Sequence, residues 1–274
     1  MRRFLVVASV NADRQWRLSE KLKPGGRHDC ADVTTRIGGS GWYAANALRA
    51  AGHEVTLACL IGEDAIGRAL LSVLARSGIG TGGVTRIPQG TQYDILVEPD
   101  GERTLICRRP PEARVAPTLP AQTGFDGAYV NTPVGLSALP CVRPGAPIVV
   151  QLPLRDGSGR TPGTHVVVSR SDVRERASAL WTKAEATADG HLRGLVITNG
   201  PASLTLMTAN GQTTVPAGPR APDGSVTIGA GDTFAAHLLA ELGGGATLEQ
   251  AAASAARSAS QWLATRTEPP AIEA

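Results

Sequence analysis

The chain has 274 residues, 42% hydrophobic and 19% charged, with a mean hydropathy of −0.04. This suits one α/β domain of ordinary size, or two small ones, with enough chain to bury a core. Lys+Arg 27 against Asp+Glu 24 leaves a net +3 spread along the sequence, and only 4% of residues are aromatic. A nucleic-acid surface, which needs clustered basic charge or stacking rings, is excluded, and no segment is long and apolar enough to suggest a membrane span.

The three lysines, Lys21, Lys23 and Lys183, are followed by Leu, Pro and Ala, so the Lys-Ser/Thr of a Walker loop is missing. Cys30, Cys59, Cys107 and Cys141 lack metal spacing and read as small buried hydrophobes of a protein from a reducing, cytoplasmic compartment.

Phe4 to Val10 is an apolar run of strand length. It reads as a strand covered on both faces rather than as a leader peptide, because Asn11-Ala-Asp13 takes the chain straight into charged sequence. A polar stretch follows, then an alternating strand over about 29–37. Gly38-Gly-Ser-Gly41 breaks the chain before a helix over 44–51, and a buried strand (55–61) leads to an amphipathic helix (63–77). Thr91 to Val97 and Arg103 to Cys107 flank Asp100-Gly101, a hairpin signal. Short strands are predicted at 127–130, 147–151, 165–169 and 195–198. A second hairpin is predicted around Asn210-Gly211, and helices over about 229–242 and 248–264.

Repeated strand-then-helix units imply a doubly wound, mostly parallel sheet with helices on both faces, and the β-only segments imply a small β lid. The expected organisation is a single domain over 1–274 with lid insertions at about 14–37 and 91–109.

Gly39-Ser-Gly41-Trp-Tyr-Ala44 fits the dinucleotide fingerprint in form, with Glu63 or Asp64 about 20 residues on. It follows a polar, alternating strand instead of the first buried one, which speaks against that use and leaves a tight turn or a substrate contact. Gly229-Ala-Gly-Asp232 is sharper, because a glycine turn at a helix start presents unpaired N–H groups at the positive end of the dipole. Asp232 in that turn has two readings: a carboxylate favoured by the dipole, or a base that takes a proton from a hydroxyl attacking a phosphoryl group held by those amides.

The order Asn11-x-Asp13, Gly38-Gly39, Leu60-Ile-Gly62-Glu-Asp64-x-x-Gly67, the 91–107 hairpin, Thr198-x-Gly200 and Thr227-x-Gly229-Ala-Gly-Asp232-x-Phe234 resembles the ribokinase-like (PfkB) family of carbohydrate kinases, over about 4–266. The resemblance implies a doubly wound fold with a lid that can also pair two copies of the chain. It implies a phosphotransferase with an alcohol acceptor, using ATP and Mg²⁺. Asp232 would be the base, with Gly229, Ala230 and Gly231 the anion hole. Asn11, Asp13, Gly38, Gly39, Tyr43 and Asn131 would hold the substrate. Thr198 and Gly200, with Gly229 and Gly231, would meet the nucleotide, and adenine would lie near the last helix, where Ala255 to Ala259 supplies small side chains and Ala255 is the candidate contact.

Departures from the family pattern carry expectations of their own. Val226 stands where relatives have an Asp beside a monovalent-cation site, so no potassium activation is expected. The family's Asn-x-x-Glu falls on Arg170 to Val173, and a shifted Asp172-x-x-Glu175 makes Glu175 the candidate metal-site residue. Tyr43 replaces the usual Asn, which widens the candidate substrates from sugars to nucleosides. A catalytically silent ligand-binding protein on the same fold is the alternative of another class.

Overall fold

The computed structural model describes residues 1–132, 134–151, 160–220 and 227–272. In chain order the strands are β1 (Arg3–Ala8), β2 (Asn11–Leu18), β3 (Cys30–Gly38), β4 (Glu54–Gly62), β5 (Gly80–Ile87), β6 (Gln92–Val97) and β7 (Arg103–Arg108). They continue with β8 (Gly127–Asn131), β9 (Ile148–Gln151), β10 (His165–Ser169), β11 (Gly194–Asn199), β12 (Ala202–Thr208) and β13 (Gly211–Val215). The α-helices are α1 (Ser40–Ala50), α2 (Ala65–Arg76), α3 (Ala177–Thr187), α4 (Ala230–Gly243) and α5 (Leu248–Thr265).

Nine strands form one sheet in the order β13-β12-β11-β10-β9-β8-β1-β4-β5. The run from β11 to β5 is parallel, and β12 and β13 close one edge as an antiparallel hairpin. Alternation along β1 explains its burial on both faces. Phe4, Val6 and Ala8 enter one core with Trp42, Leu74 and Leu238, drawn from α1, α2 and α4, while Leu5 and Val7 enter a second with Leu180 and Ala184 of α3. The mostly parallel sheet with helices on both faces matches the expectation.

The small sheet has the order β3-β2-β6-β7, and β2 pairs antiparallel with β3 and parallel with β6. Two of its features differ from the sequence reading. Residues 11–18 form a strand where the sequence reading had only a polar stretch with no element assigned, hidden because its inward positions include the polar Asn11, Asp13 and Gln15, all buried. Cys30 and Cys107 are exposed, because both sit on strands whose side chains face outward there; only Cys59 and Cys141 are buried.

The main sheet has an unread strand too. In β5, Gly80, Gly82 and Gly83 mask the strand pattern, and a methyl at Gly83 would lie 2.8 Å from both Ala58 Cβ and Leu57 O. The Gly62-x-Asp64-x-x-Gly67 motif also has a local cause. Asp64 Oδ1 accepts the Gly67 N–H at 2.7 Å as the N-cap of α2, and a methyl at Gly67 would stand 1.8 Å from Gly62 O.

Candidate active site

A cleft of about 850 Å³ opens over the carboxyl ends of β8, β9, β10 and β11, and Asn131, Gln151, Ser169 and Thr198 line it from those four strand ends. This is where parallel α/β sheets place ligands. The start of α4 forms the facing wall, with Gly229, Ala230, Gly231 and Asp232.

Gly229 is the N-cap of α4 and is left-handed, with φ 85°. That conformation suits glycine, and a side chain is excluded a second time because a methyl there would stand 2.4 Å from the Tyr43 ring. Gly229, Ala230 and Gly231 line the cleft at the positive end of the helix dipole, where first-turn amides lack intrahelical partners. One of the expected three is engaged, since the Ala230 N–H donates to Thr227 O at 3.1 Å.

Asp232 is half-buried in the cleft wall. The Tyr129 hydroxyl donates to its Oδ1 at 2.7 Å, and Asn131 Nδ2 approaches the same oxygen at 3.5 Å. Burial raises the pKa of the Asp232 carboxyl, and the bonds from Tyr129 and Asn131 pull it back down. Arg103 of β7 reaches across to donate to Thr227 Oγ1, and its charge favours the Asp232 carboxylate.

Asn11, Asp13, Gly38, Gly39 and Tyr43 form a second cluster. Asn11 Nδ2 donates to Asp13 Oδ1, and burial pushes the Asp13 carboxyl up to about 7. Asn11 Oδ1 is buried without a partner among the described residues. Gly39, at φ 90°, passes so close to β1 that a methyl would lie 2.4 Å from Ser9 O. These five residues do not line the cleft among the described residues; the two groups meet where the Tyr43 ring covers Gly229. Arg266 lies over Tyr43 at 5.9 Å and Trp262 at 4.4 Å and donates to Ile228 O at 2.7 Å, tying the end of α5 to this junction.

Of the residues that the resemblance assigns to the nucleotide, Thr198 and Gly200 line the cleft. Ala255 does not: it is fully buried in the core, and Ala256 and Ala259 present the small side chains instead. One residue along a helix turns the side chain by about 100°, which suffices to move it from cleft to core. Glu175 also lies elsewhere. Lys183 Nζ donates to Glu175 Oε1 at 2.6 Å, holding the carboxyl below its ordinary pKa, while Asp172 is the acid from that stretch that lines the cleft. Among the described residues no group of three or more His, Cys, Asp or Glu gathers as a metal cage. Val226 lies outside the described residues.

Residues 1–129 match the family "pfkB family carbohydrate kinase". The PfkB-family match takes in the Asn11-to-Tyr43 cluster, whereas Asn131 and the Gly229–Asp232 turn lie beyond it. Across more of the chain, the bifunctional protein HldE of Trichlorobacter lovleyi is 28% identical over 282 residues, covering 90% of this chain and 56% of that protein. The chain thus spans little more than half the length of this relative.

Among solved structures, Burkholderia thailandensis nucleoside kinase in complex with inosine has a TM-score of 0.70 at 18% identity, covering 96% of this chain and 91% of that one. Arabidopsis thaliana ribokinase complexed with ribose and ATP has a TM-score of 0.66 at 16% identity, covering 97% and 94%. The likeness in fold therefore covers 96–97% of the chain. No helix among the described residues is long and apolar enough to cross a membrane.

Tyr129, Gln151 and Arg103 were missed by the sequence reading. Tyr129 lies inside the short strand predicted at 127–130, two residues before Asn131 and so on the same face of β8.

Proposed function

We propose that this chain is an ATP-dependent kinase that phosphorylates a hydroxyl of a sugar or sugar-like alcohol, with Mg²⁺. The observation that carries the reading is Asp232. A carboxylate stands in the first turn of α4, beside helix amides that face a cleft at the carboxyl ends of the sheet. A base and an anion site share one turn, as phosphoryl transfer to a hydroxyl requires.

Bound ATP would supply the γ-phosphoryl group. The cleft fits it, with Thr198 and Gly200 on one side, Gly231 on the other, and the small side chains of Ala256 and Ala259 at the end. Asp172 is the carboxylate able to reach a phosphate-held Mg²⁺, an ion that ordinarily needs only one or two. Asp232 takes the hydroxyl proton, the Gly229–Gly231 turn stabilises charge on the transferred group, and Asn131 orients the acceptor. Asn11 and Asp13 bind further hydroxyls beneath Tyr43.

We read residues 1–274 as one domain with the small sheet as its lid, working in the cytoplasm. The exposed β7, with Leu105 and Ile106, is where two copies would pair. Likeness to a nucleoside kinase bound to inosine keeps nucleosides as the second acceptor class.

The test is a thermal-shift and ADP-release screen of pentoses, hexoses and nucleosides with Mg-ATP. Substrate-dependent ADP release supports the reading. Ligand-induced stabilisation with no ADP release under any acceptor would replace it with a silent binding protein.

A further inference from the structure

We propose that Tyr129 is a positioning residue for the base, its hydroxyl holding Asp232 Oδ1 so that Oδ2 is the oxygen that takes the substrate proton. This rests on the reading of Asp232 as base.

Tyr129 is fully buried in β8, at the centre of the main sheet, with Val6 and Val149 as its register neighbours. Phenylalanine would fill that space and would not require a buried hydroxyl to find partners. The hydroxyl has three. Asp232 Oδ1 lies at 2.7 Å, Gln151 Oε1 at 3.1 Å, and Asn131 Nδ2 donates to it at 3.2 Å. A phenol has one proton to give, and the shorter contact to a charged acceptor takes it. Asn131 then fixes the hydroxyl oxygen by donating to it from the end of β8, while Gln151 Oε1, at the end of β9, is the competing acceptor that the Asp232 carboxylate outcompetes. Among the described residues, both side-chain hydrogen bonds to Asp232 fall on Oδ1, which leaves Oδ2 to the substrate.

The bond also sets the charge state of the base. Burial works against the Asp232 carboxylate, and the Tyr129 bond is the largest influence in its favour. The other titratable and charged groups facing it are Arg103 from β7 and the Tyr43 phenol from α1, behind which lies Asp13. Removing the Tyr129 hydroxyl deletes a stabiliser of the charged form, so the Asp232 carboxyl must titrate at higher pH.

Tyr129→Phe keeps the ring and tests this in two arms, with the melting temperature confirming that the variant folds. In the ligand-free full chain, the Asp232 carboxyl is followed by carbon NMR of labelled aspartate, assigned with Asp232→Asn; its titration should move up by about one pH unit. In the active enzyme the acid limb of kcat/KM should move up by the same amount, and kcat below that limb should fall about tenfold while KM for the acceptor changes less than about twofold. A folded Tyr129→Phe with an unmoved carboxyl titration overturns the inference, as does an unmoved acid limb. Absence of ADP release by the wild type would instead end the kinase reading, and the NMR arm would still show whether Tyr129 governs the carboxyl.

Discussion

A methyl group built on Gly38 would stand 1.9 Å from Asp13 Oδ2 and 2.3 Å from its Cγ. The last residue of β3 thus lies directly against a buried carboxyl on β2, and only glycine leaves room for it. Gly38→Ala is predicted to destabilise the protein by about 1–3 kcal/mol, as overpacked sites do, and to raise KM for the acceptor by displacing Asp13. Gly82→Ala serves as control. Its methyl would meet nothing closer than 3.8 Å, so denaturant unfolding should place it within about 0.5 kcal/mol of wild type.

Asp13 makes stability depend on pH. Its carboxyl titrates at about 7 in the folded protein against an ordinary 3.8. Between those values the folded state keeps a proton that the unfolded chain has released. Stability from this group is therefore full below the lower value, falls as pH rises through the window, and reaches its complete cost above 7, on the order of 4 kcal/mol. Asp13→Asn buries no charge, so it should melt above wild type at about pH 8, with the gap narrowing towards pH 5, while losing acceptor affinity. A gap equal at both pH values would contradict this assignment.

The C-terminal segment straps the small sheet to the body. Ile37 N–H donates to Pro270 O at 3.1 Å and Ile272 N–H to Thr35 O at 2.9 Å, and Arg36 donates to Pro269 O at 2.8 Å. Glu268 meets Arg17 at 2.5 Å and pairs with Arg36 as well. Truncation after Arg266 strips these bonds from the edge of β3. The melting temperature should fall by several degrees, and limited proteolysis should cut first in the small sheet.

Legibility in the sequence followed the physics of each element. Apolar runs such as Phe4–Ala8 and glycine-started helices such as α4 announced themselves, because burial on both faces and a left-handed cap each leave a compositional mark. The strand β2 did not, since its buried positions carry the polar Asn11, Asp13 and Gln15. Asp232 was visible from its glycine turn alone. Tyr129 and Gln151 were not, because their meeting with Asp232 depends on the parallel register of β8 with β9 and on where α4 docks. The exchange of Ala255 for Ala256 and Ala259 at the cleft is a matter of helix phase, which small side chains do not reveal.

The most direct measurement is ADP release by Asp232→Asn alongside wild type, with the acceptor found in the screen. The account predicts turnover lower by at least about a hundredfold, with nucleotide-induced thermal stabilisation kept, because the amides of the Gly229–Gly231 turn remain. Turnover equal to wild type would contradict the assignment of Asp232 as the base.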